Sequence, residues 1–240
     1  MEAPFLSLVI PCYNEANRID LLMQGLTEFQ VQWDTAFEIL LVDDGSTDQT
    51  MQILQQHNSY DLLAPYITIL TQRNTGKGGA LRHGVAKANG DYILTLDADM
   101  ATKPTELIQW RTKRKSFYPR EILIGSRELN NSQVHDLGYR KFVGNIFNFI
   151  IRNMVGLRIS DTQCGFKLYP KEAAKQLFAK LQTMGWAHDV ELLKRANLLG
   201  YAIIEMPITW NAIEGSKINV LSDSWNMFWE VVKIRGMKTH

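Results

Sequence analysis

Two acidic clusters close two apolar runs in this chain. Asp43-Asp44 follow Phe37-Glu38-Ile39-Leu40-Leu41-Val42, and Asp97-Ala98-Asp99 follow Asp91-Tyr92-Ile93-Leu94-Thr95-Leu96. Short apolar runs of this kind read as strands buried on both faces. Carboxylates at the carboxyl ends of adjacent parallel strands converge in one crevice, where a divalent cation and a nucleotide diphosphate relieve their repulsion. The arrangement implies a nucleotide-sugar site. In Asp97-Ala98-Asp99 the i, i+2 spacing sets both carboxylates on one side of a strand end, within reach of one ion. Magnesium or manganese held there keeps positions open for water and diphosphate oxygens.

The elements that must position these residues follow from periodicity. Phe5-Leu6-Ser7-Leu8-Val9-Ile10, closed by Pro11, is the expected first strand. From Glu15 onward Ile19, Leu22, Met23 and Leu26 keep the i, i+3, i+4, i+7 spacing of an amphipathic helix. The pattern repeats as strand Phe37 to Val42, helix from about Thr47, strand Tyr66 to Leu70, helix Gly79 to Ala88 and strand Tyr92 to Leu96. Alternating periods of this kind build a parallel sheet with right-handed crossovers. Ser46-Thr47-Asp48-Gln49 reads as a capping box in which Ser46 accepts the Gln49 amide. Beyond Asp99 the spacing predicts helices at Pro104 to Lys115, Arg140 to Val155, Lys171 to Leu181, His188 to Leu199 and Ser222 to Arg235. Strands are expected at Glu121 to Gly125 and Tyr201 to Met206. The expectation is one α/β domain over residues 1–240, Rossmann-like with a mostly parallel sheet flanked by helices. Residues 1–99 would form its nucleotide-sugar half and residues 100–240 its acceptor half.

At 240 residues and 45% hydrophobic content the chain can bury one substantial core. With 26 Lys and Arg against 25 Asp and Glu, bulk charge gives no basis for nucleic-acid binding. Cys12 and Cys164 have neither CxxC nor Cys/His spacing, so free thiols in a reducing compartment are expected. Met1-Glu2-Ala3-Pro4 lacks the basic region of a signal peptide, and no apolar segment has the length of a membrane span. A soluble or peripheral protein is the expectation.

Asn74-Thr75-Gly76-Lys77-Gly78-Gly79-Ala80 has the composition of a phosphate loop without the Walker spacing. A tight turn before a helix and a direct ligand contact both call for such glycines. Pro11-Cys12-Tyr13-Asn14-Glu15 stands where a dinucleotide-binding dehydrogenase would carry GxGxxG, which argues against that class.

Val9 to Glu15, Val42 to Asp48, Asn74 to Leu81 and Asp97-Ala98-Asp99 together resemble the family 2 glycosyltransferases of the GT-A fold. Within them the pattern is similar to the polyprenyl-phosphate sugar transferases, dolichyl-phosphate mannosyl- and glucosyltransferases. Asp161 to Leu168, Trp186 to Leu193 and Trp210 to Lys217 favour the β-glucosyltransferase branch. The resemblance implies that Pro11, Tyr13, Glu15, Val42 and Asp44 line the nucleoside pocket, with Asp44 at base or ribose. Asp97 and Asp99 would hold Mg2+ or Mn2+ on the diphosphate beside Ala98. Arg127 and Lys217 would contact phosphate, and Arg140 the acceptor phosphate. Asp97, Asp99, Arg127 and Asp189 are the candidate catalytic residues, although a salt bridge for Arg127, a solvated face for Arg140 and a helix cap for Asp189 also suit these positions. The chain departs from the mannosyltransferase pattern at Ala101, where that pattern has a metal-contacting glutamine, and at Asn211, where it has a phosphate-binding arginine.

The implied activity is inverting, metal-dependent transfer of a hexose, glucose from UDP-glucose, to a polyprenyl or dolichyl phosphate. Transfer from GDP-mannose or another nucleotide sugar, a hydroxyl acceptor with Asp189 as base, and a non-catalytic nucleotide-sugar scaffold are the alternatives. A lipid acceptor implies a membrane surface or a membrane-embedded partner, at the cytoplasmic face. Phe142, Val143, Ile146, Phe147, Phe149, Ile150, Ile151 and Met154 form one apolar stripe. Trp225, Met227, Phe228, Trp229, Val231, Val232 and Ile234 form another, and both suit interfacial helices as well as core or a dimer contact.

Overall fold

A computed structural model describes residues 4–135, 154–213 and 229–237 of the chain. Its centre is a seven-stranded sheet in the order β3-β2-β1-β4-β7-β5-β8. The strands are β1 (Leu6–Cys12), β2 (Phe37–Asp43), β3 (Ile67–Thr71), β4 (Tyr92–Thr95), β5 (Glu121–Ser126), β7 (Lys167–Pro170) and β8 (Ala202–Pro207). β6 (Gln133–His135) and β9 (Thr209–Asn211) form a separate parallel pair. All contacts among β1, β2, β3 and β4 are parallel, as are those of β5 with β8. The apolar runs become strands because both faces are covered. Along β1, Leu6, Leu8 and Ile10 enter one core layer and Val9 the other, the period-two alternation of a pleated strand.

One layer holds α1 (Ile19–Gln32), α2 (Thr50–Gln56), α3 (Tyr60–Leu63) and α5 (Glu106–Arg114). The other holds α4 (Lys77–Lys87), α6 (Lys171–Ala179) and α7 (His188–Leu198). A short 3-10 turn, Ala16–Arg18, leads into α1, so the regular helix starts later than Glu15. Helical residues 229–235 seat Val231 and Ile234 in the second layer while Trp229 stays half exposed. The remainder of that expected helix, with Trp225, and the stripe from Phe142 to Ile151 lie outside the described residues.

One local expectation is corrected, and one strand was not anticipated. The helix after β2 begins at Thr50 rather than near Thr47, and Ser46 does not cap it. Asp48 does that work, its carboxylate accepting both the Thr50 amide and hydroxyl, while the Ser46 hydroxyl accepts the Asn14 amide at 3.0 Å. An aspartate two residues before a helix start competes with a hydroxyl as well as a capping box does. The strand not anticipated is β7. It runs antiparallel to both β4 and β5, and four residues opened by Lys167 and closed by Pro170 carry no alternation long enough to announce a strand. The reversal brings the residues before β7 to the same sheet edge as the carboxyl ends of β4 and β5.

Candidate active site

Because β2, β1 and β4 are neighbours and parallel, their carboxyl ends bring Pro11 to Tyr13, Asp43-Asp44 and Asp97 to Asp99 to one edge. Asn14 adopts φ 53°, tolerable for asparagine, and its side-chain oxygen accepts the amides of Thr47 at 2.7 Å and Asp48 at 3.3 Å. The first two strand-end loops are thereby tied together. Glu15 adds to the tie, its amide donating to the Thr50 hydroxyl at 2.7 Å while its carboxylate pairs with Arg18 at 2.8 Å.

Asp44 is 3% exposed and has both carboxylate oxygens engaged. One accepts the Thr75 amide at 2.9 Å and the Gln72 side-chain amide at 2.7 Å; the other accepts the Gly76 amide at 2.8 Å. The glycine-bearing loop thus wraps an anion supplied by the chain itself. Gly76 at φ 88° has no room for a Cβ, which would lie 2.6 Å from the Met184 carbonyl oxygen. Tyr13 is partly exposed at this edge, whereas Val42 and Ala98 are buried in the two core layers and offer a ligand little side-chain surface.

Asp97 and Asp99 present the opposite situation. Asp99 accepts the Ala101 amide at 3.0 Å, and the intervening Met100 takes φ 56°. Burial and the neighbouring Asp97 charge together raise the Asp99 carboxyl above its ordinary range, against the pull of Lys77 and Arg18. Lys77, the first residue of α4, reaches Asp97 Oδ1 at 2.6 Å. Burial opposes its charge, but Asp97, Asp189 and Asp99 outweigh that and hold the ammonium above the ordinary lysine value. Gly165 lies under Asp97, and a Cβ there would stand 2.8 Å from both carboxylate oxygens. Thr95 fixes that turn by donating to the Gly165 carbonyl at 3.0 Å.

A divalent cation fits this donor set. Two hard carboxylates whose ionised forms repel one another gain from one, and Mg2+ or Mn2+ characteristically takes one or two carboxylates and fills its shell with phosphate and water oxygens. Among the described residues no group of three or more His, Cys, Asp or Glu is gathered, so protein ligands alone would leave the shell open.

Behind Lys77 lies a second buried charge cluster. Lys167, fully buried on β7, donates to Asp189 Oδ1 at 2.5 Å and to the Cys164 carbonyl. Burial disfavours the Asp189 anion, but His188, Lys167 and Lys77 more than compensate and bring its carboxyl down to about 2. Asp189 does not cap α7; its side chain is spent on Lys167. Arg127, just past β5, forms a two-pronged pair with the buried Asp161 at 2.7 and 2.9 Å. Glu205 on β8 holds that turn by accepting the amides of Ser160 and Asp161 at 3.0 and 3.2 Å. Arg127 retains an exposed side-chain surface of 29% and lies 5.7 Å from the Trp210 ring.

The structure therefore brings together Asp44, Asp97 and Asp99 at adjoining strand ends and sets Arg127 at the same edge beyond β7. Arg140 and Lys217 lie outside the described residues. Sequence reasoning places Lys77, Gly165 and Lys167 within motifs without assigning them roles, and it misses Arg18 altogether. Lysine after a glycine turn at a helix start is the available signal for Lys77. Nothing in the sequence marks Lys167 as buried. Ala101 and Asn211, the two departures from the mannosyltransferase pattern, meet directly, with the Asn211 amide donating to the Ala101 carbonyl at 2.8 Å.

Residues 7–178 match the model of the glycosyl transferase family 2. The dolichyl-phosphate beta-glucosyltransferase of Mus musculus is 38% identical over 224 residues, which cover 89% of this chain and 69% of the mouse protein. The protein of the same name from Saccharomyces cerevisiae is 35% identical over 256 residues, covering 98% of this chain and 75% of the yeast one. Among solved structures, glucosyl-3-phosphoglycerate synthase from Mycobacterium tuberculosis in complex with Mn2+, UDP and glucosyl-3-phosphoglycerate superposes with a TM-score of 0.71 at 18% identity. That match covers 98% of this chain and 81% of the other. The fold is thus GT-A in a single domain, and the chain belongs to the family 2 glycosyltransferases.

Proposed function

We propose that this chain transfers glucose from UDP-glucose to dolichyl phosphate or a similar polyprenyl phosphate, with inversion at the anomeric carbon. The relatives' names support the sugar and the acceptor. The solved GT-A structure holding UDP and Mn2+ supports a uridine donor and a divalent cation. Residues 1–99 would bind the nucleotide sugar, with Pro11, Tyr13, Glu15 and Asp44 near the nucleoside, and residues 100–240 the acceptor.

The observation that favours a phosphate acceptor over a hydroxyl is the state of Asp189. A hydroxyl must lose its proton to a base, and a buried carboxylate locked on Lys167 with its carboxyl at about 2 has little proton affinity. A phosphate monoester has a second pKa of about 6 and is already anionic near neutrality. Its oxygen attacks the anomeric carbon as the bond to the donor diphosphate breaks, and the electron pair leaves on the diphosphate. Asp97 and Asp99 would hold Mg2+ or Mn2+, which supplies charge stabilisation to that leaving group. Lys77 adds a positive charge at the same place, and Arg127 another toward the acceptor side. No helix among the described residues is long and apolar enough to cross a membrane. The lipid acceptor would be met peripherally at a cytoplasmic membrane face, or through a membrane partner.

The test is incubation with labelled UDP-glucose or GDP-mannose, a short-chain polyprenyl phosphate and Mn2+. Glucose should move to the lipid phosphate from the uridine donor. Faster mannosyl transfer would overturn the donor assignment. Transfer to hydroxyl acceptors, with an acid limb abolished by Asp189→Asn, would restore Asp189 as base.

A further inference from the structure

A buried ring nitrogen behind Lys77 has no donor among the described residues and faces a carboxylate oxygen of Asp189. His188 Nδ1 lies 2.8 Å from the Gly185 carbonyl oxygen, which can only accept, so the ring proton sits on Nδ1. Burial lowers the His188 pKa and so favours the neutral ring, in which Nε2 carries a lone pair. Among the described residues Nε2 makes no hydrogen bond, and it lies 3.5 Å from Asp189 Oδ2, an acceptor. Lys167 is engaged with the other oxygen, Oδ1. Leaving a buried acceptor without a donor costs free energy, and one ammonium with three protons can serve it and the neighbouring carboxylate oxygen together.

Besides Lys167, already held on Oδ1, Lys77 is the ammonium whose charge acts on both His188 and Asp189. The next residue, Gly78, abuts His188, since a Cβ added to it would stand 2.9 Å from the His188 Cβ, and its amide donates to the Met184 carbonyl at 2.8 Å. After Asp97, Asp189 is the carboxylate acting most strongly on Lys77. A divalent cation on Asp97 would repel Lys77 from its 2.6 Å contact with Oδ1. We propose that Lys77 is a two-position residue, neutralising Asp97 in the metal-free protein and moving onto Asp189 Oδ2 and His188 Nε2 when a divalent cation takes Asp97. Asp189 and Lys167 are then positioning residues that reserve the second position. The inference rests on Asp97 and Asp99 being metal ligands.

The experiment measures Mn2+ binding alone, by calorimetry on the full chain without nucleotide. Asp189→Asn removes the second position and should weaken Mn2+ binding about five- to tenfold, although Asp189 is not a ligand. Lys77→Met removes the competitor and should tighten it. In Lys77→Met/Asp189→Asn the Asp189 effect should vanish, because there is no lysine left to accommodate. If Asp189→Asn leaves Lys167 stranded and the protein does not fold, Asp189→Asn/Lys167→Met neutralises the pair and should show the same weakening. An Asp189 effect of equal size with and without Lys77 overturns the proposal. So does a Mn2+-bound crystal structure with Lys77 still on Asp97, rather than with Nζ within about 3.2 Å of Asp189 or His188. Mn2+ binding that Asp99→Asn leaves unchanged would instead refute the metal site itself.

Discussion

The same sequence signal, an aspartate just past a buried parallel strand, produces opposite environments at the ends of β2 and β4. Asp44 is saturated, its carboxylate held by two backbone amides and a side-chain amide of the 72–76 loop. Asp99 accepts one amide, and burial and the charge of Asp97 push its carboxyl upward. One carboxylate organises the loop around it, and the ionised form of the other is disfavoured by burial and by Asp97. The difference arises from the segment that succeeds each strand. After β2 the chain lies beside a loop that turns its amides toward Asp44, whereas Asp97 and Asp99 sit against each other.

Asparagine at each position separates the two roles. Asp99→Asn should lower turnover at least about a hundredfold, because one of the two charges proposed to hold the metal is lost. It should also raise the melting temperature in metal-free buffer at neutral pH. A carboxyl whose folded pKa is raised binds its proton more tightly folded than unfolded, so its ionised form subtracts stability as pH rises through that range, and a neutral isostere removes the loss. Activity within twofold of the parent at saturating Mg2+ and Mn2+, or a melting temperature that falls, would break the contrast.

The next largest effect belongs to Gly165→Ala. Its methyl would crowd both Asp97 oxygens at 2.8 Å, and Asp97 must turn away. Turnover should drop about tenfold, through weaker Mn2+ binding. The fold should survive, since the displaced carboxylate side chain is 41% exposed. Unchanged metal affinity would show that Asp97 reaches the cation in another rotamer.

Asp44→Asn should act mainly on stability. The amide group must face either the Gly76 amide or the Thr75 and Gln72 donors, leaving at least one part-buried donor unpaired at a cost of about 1–3 kcal/mol. Thermal unfolding measures this directly, and turnover of the folded fraction should fall less than with Asp99→Asn. A variant as stable as the parent would mean that the loop does not need its anion.

How much of this was legible in the sequence depended on the length of each signal. β1, β2, β3 and β4 announced themselves because runs buried on both faces stay apolar throughout. β7 did not, since four residues framed by Lys167 and Pro170 are too few to show a period. The place of Asp97 and Asp99 at a strand end was legible because the apolar run before them marks the strand. The cations that oppose them were not. Lys167 is indistinguishable in sequence from a surface lysine, and its burial follows from the antiparallel course of β7. The contact between Ala101 and Asn211 joins positions that only the folded chain brings together.

Arg18 gives the smallest expected effect and the finest test of the contrast. Its guanidinium pairs with Glu15 at 2.8 Å, yet it also contributes to holding the Asp99 carboxyl down, as the weakest of the influences that do so. Mn2+ binding should be lost as pH falls, because a proton on Asp99 competes with the ion, and its midpoint should lie above the ordinary aspartate range. Arg18→Gln withdraws a favourable charge from the carboxylate, so the proton binds more tightly and the midpoint should move up, by about half a pH unit at most. The same substitution removes a positive charge that repels the metal, so above the midpoint Mn2+ should bind slightly tighter than in the parent. Opposite changes on the two sides of the midpoint would identify Arg18 as a modulator of Asp99. A profile superimposable on the parent's would exclude Arg18 as a modulator of Asp99 and leave the β4 end governed by burial, Asp97 and Lys77.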